Sequence, residues 1–391
     1  AMVRMLAQLM KDPASGEYVV PIVPDEARTF GMDGLFKVAG IYSPEGQNYT
    51  PVDAGSLMSY REAVDGQILQ EGICETGAMA SFMAAGTAYA VHGVPTIPCY
   101  IFYSMFGFQR VGDLIWACAD MMTRGFLLGG TAGRTTLNGE GLQHEDGQSH
   151  VLASTFPNLK SYDPAFAYEL AVIVRDGLHR MYELGDKVFY YITLYNENYA
   201  MPPMPEVEGI EDGIIKGAYC WQPRQGGGEP IDLLASGSLM QQVVAASEQL
   251  AALGYAPAIW SVTSYVELAR EAEACEREAR LQPLSDRRLP YVETLFGDLD
   301  GPIIAVTDYL KGLPASIARW MPASFTVLGT DGFGLSESRK DLRDHFEVSA
   351  SHIVQAALVE LYRSGRIDEQ EMRAQVAGLG IDAQKLDPAA R

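Results

Sequence analysis

Residues Ile97 to Gly130 read IPCYIFYSMFGFQRVGDLIWACADMMTRGFLLGG. The runs Ile97–Tyr103 and Gly125–Gly130 are short, apolar and rich in large side chains, as strands are, whereas Gly112–Met122 between them carries its apolar residues at helical spacing. Strand, helix, strand in that order argues for a parallel sheet flanked by helices. Outward from this stretch the same rhythm continues, with strands predicted at Tyr18–Val23 and Val188–Tyr195 and helices at Gly66–Val91 and Pro164–Met181, the last with Asp163 as its N-cap.

The segment NENYAMPPMPEVEGIEDG (Asn196–Gly213) then brings three prolines and an acidic run, which punctuate a domain boundary. Beyond it the alternation resumes: strand Ile231–Ala235, helix Leu239–Leu253 closed by Gly254, strand Ala258–Val262, an acidic helix running through Cys275, and strand Pro302–Thr307. The short stretch QGGGEP (Gln225–Pro230) has the composition of a linker or a hairpin tip. The expected fold class is α/β in two domains, each with a mostly parallel sheet flanked by helices.

Composition narrows the function. With 29 Lys and Arg against 50 Asp and Glu, the 391-residue chain has a formal charge of -21, which repels phosphate backbones and anionic lipid. Neither nucleic acid nor a membrane is an expected partner. The opening AMVRMLAQLMKDP lacks the order of a signal peptide, so the expected location is cytoplasmic. Its Ala-Met resembles a cloning remnant ahead of an initiator methionine and sets the expectation that the natural chain starts there. The five cysteines are scattered without ligand spacing, which disfavours a disulfide framework and a zinc site and suggests buried reduced thiols.

Open parallel sheets bind ligands beyond the carboxyl ends of their strands. Three segments occupy such positions: Asp25-Glu26, SMFGFQR (Ser104–Arg110), and TTLNGEGLQHEDGQSH (Thr135–His150), which holds a third of the six histidines. The last is either a surface loop with incidental histidines or a functional one, and a metal bound by His144, Glu145, Asp146 and His150 is the weaker of its chemical readings, because a glycine-rich loop holds ligand geometry poorly. In LQEGICETGAMASFMAAGTAYA the abundance of Gly and Ala suits a helix buried on several sides. Glu71 and Glu75, one turn apart on it, are then either solvated carboxylates near its start or buried proton donors with raised pKa. No GxSxG nucleophile occurs, and GTDGFG (Gly329–Gly334) reads as a glycine-rich turn rather than a dinucleotide site.

Several motifs coincide in order: DEARTFGMDGLF, GQILQEGICETGA, YSMFGFQR, GRTTLNGEGLQHEDG, SYDPA, NENY and GTDGFG. Together they resemble the E1 component of the bacterial pyruvate dehydrogenase complex, homodimeric type, along essentially the whole chain. The resemblance implies a pyrimidine-binding domain over residues 1–204 and a carboxy-terminal transketolase-type domain over 205–391, acting with thiamin diphosphate. Glu75 matches the acid that hydrogen-bonds the pyrimidine N1′ and promotes loss of the thiazolium C2 proton. Phe106 matches the ring that stacks on the aminopyrimidine, Tyr103 a neighbour in that pocket, Asp25 and Glu26 acidic residues near the cofactor, and His144 a histidine facing the reacting substrate. No metal ligand is implied in this chain.

The family holds the diphosphate and its Mg2+ with a Gly-Asp-Gly motif in an amino-terminal domain, and no Gly-Asp-Gly occurs here. The resemblance therefore implies a separate subunit carrying that domain and the Mg2+, self-association of this chain to an α2β2 assembly, a lipoyl carrier domain as acceptor, and inactivity of this chain alone. Departures from the family pattern fall at Thr76, Gln148, Ala200 and Leu335. Polar groups near a reacting centre set specificity, so these leave two donors in play: a 2-oxo acid such as pyruvate, or a ketose phosphate giving a glycolyl unit. A third reading is a non-catalytic assembly partner that keeps the fold, against which the joint presence of Glu75, Phe106 and His144 counts.

Overall fold

The structure is a computed structural model, and it describes residues 1–24, 27–56 and 59–390. The chain forms two compact units. The first comprises residues 1–131, 152–160 and 174–194, and the second residues 132–151, 161–173 and 195–391.

The first unit is built on strands β1 (Val19–Val23), β4 (Leu69–Gln70), β5 (Ile97–Tyr103), β6 (Phe126–Gly130) and β8 (Phe189–Thr193) and the first two residues of β7 (Leu159–Tyr162), the strands running in the order β4-β1-β5-β6-β8-β7. A separate two-residue pair joins β2 (Ile41–Tyr42) to β3 (Glu62–Ala63). The pairs β1/β4, β1/β5, β5/β6 and β6/β8 are parallel, with Cys99 opposite Phe126 and Tyr103 opposite Gly130. Strands β5, β6 and β8 are buried along nearly their whole length, which is why they carry continuous apolar runs instead of alternation. Strand β6 ends in two glycines for a steric reason. A Cβ at Gly129 would sit 2.6 Å from the Tyr191 hydroxyl, and one at Gly130 would sit 3.1 Å from the Phe30 ring.

Helices α1 (Met2–Leu9), α2 (Glu75–Val91) and α3 (Gly107–Asp120) belong to this unit, and α2 packs on β5 and α3. The helix expected from Gly66 begins only at Glu75. Gly72 (φ 64°) and Ile73 (φ 33°) hold left-handed backbone, and Cys74 caps the helix by accepting the Gly77 N–H at 3.3 Å. Glu71 therefore stands before the helix, not on it, and its carboxylate accepts from the Ser81 hydroxyl. Nor is α2 buried on several sides: Ala78, Met79, Phe82 and Gly86 face the interior, while Thr76, Ala80 and Ala84 form an outward, small-residue face. The expectation of uniformly buried thiols fails at the same place, since Cys74 is exposed.

The second unit carries α6 (Ile210–Lys216), α7 (Met240–Ala252) and α8 (Tyr265–Leu281), with α4 (Ser149–Ala153) and α5 (Ala167–Leu178) contributing their first residues. Its sheet orders β9 (Tyr219–Gln222), β10 (Pro230–Ala235), β11 (Ala256–Ser261), β12 (Ile303–Val306) and β13 (Phe325–Leu328) as β13-β12-β10-β11-β9. All pairs are parallel except β11/β9. Because side chains alternate along a strand, β10 and β12 feed two cores. Ile231, Leu233, Ala235, Ile304 and Val306 pack with α7 and the helix Ala350–Arg363, while Leu234, Ile303 and Ala305 pack with α8 and the helix Tyr291–Phe296. The QGGGEP stretch links β9 to β10, strands that do not pair, so it is a connecting segment and not a hairpin tip.

Asp163 does not cap α5. Its backbone N–H donates to Thr263 and its carboxylate accepts from the Tyr195 hydroxyl. The orphan N–H groups of Ala165 and Phe166 donate instead to Glu169 Oε2, at 2.6 and 3.0 Å, and Glu169 Oε1 accepts from Tyr219 and Ser261. Four donors explain how a fully buried carboxylate is tolerated there.

Candidate functional site

Within the first unit, two of the expected residues, Phe106 and Glu75, meet at one side chain that sequence reasoning did not single out, and a third, Tyr103, packs on Phe106. Tyr103 ends β5, and the turn Ser104–Phe106 sets the Phe106 ring edge-on to Tyr103 with centroids 5.8 Å apart. The Phe30 ring also packs against Tyr103, with centroids 5.3 Å apart. Glu75 opens α2. Arg110, one helical turn after Phe106, lays its guanidinium carbon 3.7 Å from the Phe106 ring centroid and donates from Nη1 to Glu75 Oε1 at 2.7 Å. Glu75 is largely covered, at 13% side-chain exposure, while Arg110 remains open at 47%. The spacing of Phe106 and Arg110 is a readable signal; their joint contact with Glu75 is tertiary and is not. Asp25 and Glu26 lie outside the described residues.

The Phe106 ring and the Glu75 carboxylate together face one flat, nitrogen-rich group, the Arg110 guanidinium. The guanidinium is planar, donates N–H bonds in its plane and presents a face to an aromatic ring, and an aminopyrimidine has the same three properties. A planar ring that stacks on Phe106 and shares a proton with the Glu75 carboxyl, as the pyrimidine half of thiamin diphosphate would, suits the same two side chains.

His144 is in the second unit, at the end of the turn Leu142–His144, with its backbone N–H donating to Gly141. The segment that carries it is anchored. Asp308 Oδ1 accepts the Thr135 N–H at 2.9 Å and hydroxyl at 2.7 Å, and Oδ2 accepts the Thr136 hydroxyl at 2.6 Å. Arg134 donates to the carbonyls of Thr330 and Gly332 and to Gln148 Oε1, so the glycine-rich turn 329–334 is a wall for this segment. Gly334 lets Glu145 in: a Cβ there would lie 2.2 Å from Glu145 Cβ.

Glu145 is fully buried and neither carboxylate oxygen has a hydrogen-bond partner among the described residues. Burial pushes its pKa up to about 8, the charge of Asp308 adding and that of Arg134 opposing. Burial likewise pushes Asp308 up to about 6, against the pull of its bonds from Thr136 and Thr135. His150 turns inward, its Nδ1 2.7 Å from Ser161 Oγ and its ring edge-on to Tyr309, and burial lowers it to about 4, against the charge of Asp146. Among the described residues no group of His, Cys, Asp and Glu is placed to hold a metal ion, and no helix is long and apolar enough to cross a membrane.

Residues 1–202 match the family model of the pyruvate dehydrogenase E1 component middle domain, and residues 217–349 that of the transketolase-like C-terminal domain. The pyruvate dehydrogenase E1 components of Escherichia coli K12 and Pseudomonas aeruginosa are each 52% identical over 391 residues, and that of Corynebacterium glutamicum is 50% identical over 390, in each case covering 99% of this chain. The chain spans 44% of the length of the first two and 42% of the third. Among solved structures, transketolase from Campylobacter jejuni aligns over 92% of this chain and 46% of its own at TM-score 0.64 and 18% identity. A split gene transketolase, described as an inactive beta4 tetramer, aligns over 92% of this chain and 96% of its own at TM-score 0.59 and 15% identity. These two similarities concern the fold. With family models matched in order along both parts and about half its residues shared with the E1 components, the chain belongs to the pyruvate dehydrogenase E1 component family, as its transketolase-like pair of α/β domains.

Proposed function

We propose that the chain is the pyrimidine-binding and carboxy-terminal part of a thiamin-diphosphate enzyme that moves a two-carbon acyl unit from a 2-oxo acid or a ketose to a lipoyl carrier. The observation that carries this reading is the joint engagement of Phe106 and Glu75 by one planar, N–H-donating group. Thiamin diphosphate, when bound, supplies the carbon nucleophile. In this chain Glu75 holds or moves a proton at the pyrimidine N1′, Phe106 stacks on the ring and Tyr103 backs it, with Asp25 and Glu26 beside the cofactor. His144 meets the reacting substrate. The reading divides the chain into a pyrimidine-binding domain, 1–204, and a transketolase-type domain, 205–391, and family matches over 1–202 and 217–349 support it.

Diphosphate and Mg2+ require a Gly-Asp-Gly-bearing polypeptide, and the relatives' greater length supports such a domain outside these residues. The reading includes pairing of this chain with itself and with that partner as α2β2, in the cytoplasm. Mixing the purified chain with a Gly-Asp-Gly-containing partner, thiamin diphosphate and Mg2+ tests it. Light scattering should show a heterotetramer, and donor cleavage should appear only in the mixture. Carbon dioxide released from pyruvate identifies an oxo-acid donor, and a shortened aldose identifies a ketose. Tight cofactor binding and full turnover by this chain alone would overturn the reading.

A further inference from the structure

The turn 329–334 that walls the His144 segment is itself in contact with residues 381–390, which follow the helix Glu369–Val376. Two contacts seat this tail. At Gly332 (φ 99°) a Cβ would lie 2.5 Å from the Pro388 carbonyl oxygen and 3.3 Å from the Ala389 Cα, so the tail backbone rests directly on the glycine. Lys385, at 17% side-chain exposure, donates to the carbonyl of Asp344 in the last turn of the helix Arg339–His345, with the Asp344 carboxylate 3.6 Å away. A cation there meets carbonyls that lack a partner within the helix. Between the two contacts Leu386 and Asp387 are exposed. We propose that residues 381–390 are a strap that positions the His144 segment through the turn 329–334, with Gly332 and Lys385 as its positioning residues: seated, it fixes the turn against the segment, and lifted, it lets the segment around His144 open. That this segment meets substrate rests on the reading of His144 given above.

The path from strap to segment is continuous and lies within the second unit. Gly332, against Pro388 at its Cα, offers its carbonyl to Arg134 Nη1 at 2.7 Å. Arg134 Nη2 donates to Gln148 Oε1 at 2.9 Å, and the same oxygen accepts the Gly147 N–H at 3.2 Å. The guanidinium leaves no space for a side chain at Gly147, where a Cβ would lie 2.5 Å from its central carbon. Arg134 is buried, so moving the Gly332 carbonyl would leave a desolvated donor without that acceptor, which favours rearrangement of the segment over a static gap. The strap is the part of this path that opens most easily, because a tail seated by a surface ion pair and one backbone contact lifts at a small fraction of the cost of unfolding the core beneath it.

Hydrogen–deuterium exchange of the full chain, read by mass spectrometry on peptides spanning 141–150, tests the strap, because the amides of Glu145, Gly147, Gln148 and Ser149 are bonded within the segment. Lys385→Met keeps the length of the side chain and removes the cation, and should raise exchange in 141–150 about 2- to 5-fold. Lys385→Arg, which can still serve the Asp344 carbonyl, should restore the original rate. Ending the chain after Gly380 removes the strap but keeps Leu379, which packs on the core, and should raise exchange there about tenfold or more while β10 keeps its protection. Unchanged exchange in 141–150 for both Lys385→Met and the shortened chain would overturn the proposal. Equal acceleration of β10 and 141–150 would overturn it as well, by making the tail a general stabiliser of the unit. If the shortened chain does not fold, Lys385→Met and its arginine counterpart decide in the same sense. None of these measurements involves cofactor, partner or turnover, so failure of the strap and failure of the assignment of His144 are told apart.

Discussion

Asp308 accepts the backbone N–H of Thr135 at 2.9 Å across 173 positions of sequence. That bond, with those from the two threonine hydroxyls, explains why the segment after β6 belongs to the second unit, although the strand it leaves belongs to the first. A buried carboxylate that satisfies three donors cannot be removed without orphaning them.

Asp308→Ala should accordingly cost about 3–5 kcal/mol of stability, and Asp308→Asn, which keeps one acceptor, about 1–3 kcal/mol. Urea unfolding measures both. The segment around His144 should also become more sensitive to proteases in the Ala variant. Equal urea midpoints for all three proteins would refute the anchoring role.

Glu145 predicts a pH dependence with a definite sign. Its folded pKa, about 8, lies above the ordinary 4.5, so between those values the folded chain holds a proton that the unfolded chain has released. Stability should therefore fall as pH rises through this window, by at most about 1.4 kcal/mol per pH unit. Asp308 adds a slope of the same sign that ends near its own value of about 6, and His150, lowered from 6.5 to about 4, adds one of opposite sign that ends near 6.5, so the comparison with Glu145→Gln, in which both cancel, is what reads Glu145 between pH 6 and 8. Glu145→Gln should flatten that limb and be the more stable protein at pH 8. Parallel stability curves for the two proteins between pH 6 and 8 would show that the carboxyl is already ionised when folded.

The central strands of each sheet are readable in the sequence; the short strands and the polar anchors are not. Ile97–Tyr103 is a strand over the residues its composition indicates, because a parallel strand buried on both faces must be apolar throughout. The start of α2 was misread, since Gly66 to Cys74 has helix-compatible composition and only the tertiary pairing of Leu69 and Gln70 with β1 makes it a strand and a turn. At the proposed site, motif points to Glu75, Phe106, Tyr103 and His144, while the contacts of Arg110 and Asp308 escape it because they depend on partners brought together by folding. The short β9 and β13 were missed for a related reason: both flank a sheet, where partial exposure dilutes the apolar signal.

Gly86 tests the packing of α2. A Cβ at this position would lie 2.3 Å from a Thr123 methyl and 2.4 Å from the Arg124 carbonyl oxygen, and Gly86 itself accepts the Arg124 N–H at 3.0 Å. Alanine is the better helix former by about 1 kcal/mol. Overpacking against backbone costs more, so Gly86→Ala should lose a net 1–3 kcal/mol, roughly, in urea unfolding. A gain in stability would mean that α2 and the turn after α3 are free to separate.

The last prediction distinguishes the two proposed chemical residues. Glu75 acts on the cofactor before any substrate arrives, whereas His144 acts on the substrate. In the assembled enzyme, Glu75→Gln preserves size and removes the transferable proton, so exchange of the thiazolium C2 proton should fall by about 10²-fold or more, with or without donor present. His144→Ala should leave that exchange and the affinity for thiamin diphosphate nearly unchanged while slowing turnover, because the contact it removes is made to the reacting substrate. Hydrogen–deuterium exchange at C2 followed by acid quench, together with steady-state rates, separates the two effects. If Glu75→Gln exchanges at the normal rate, Glu75 is not the activating acid. Glu71 then becomes the next candidate: it stands just before α2 with its carboxylate on Ser81, and Glu71→Gln would have to reproduce the loss.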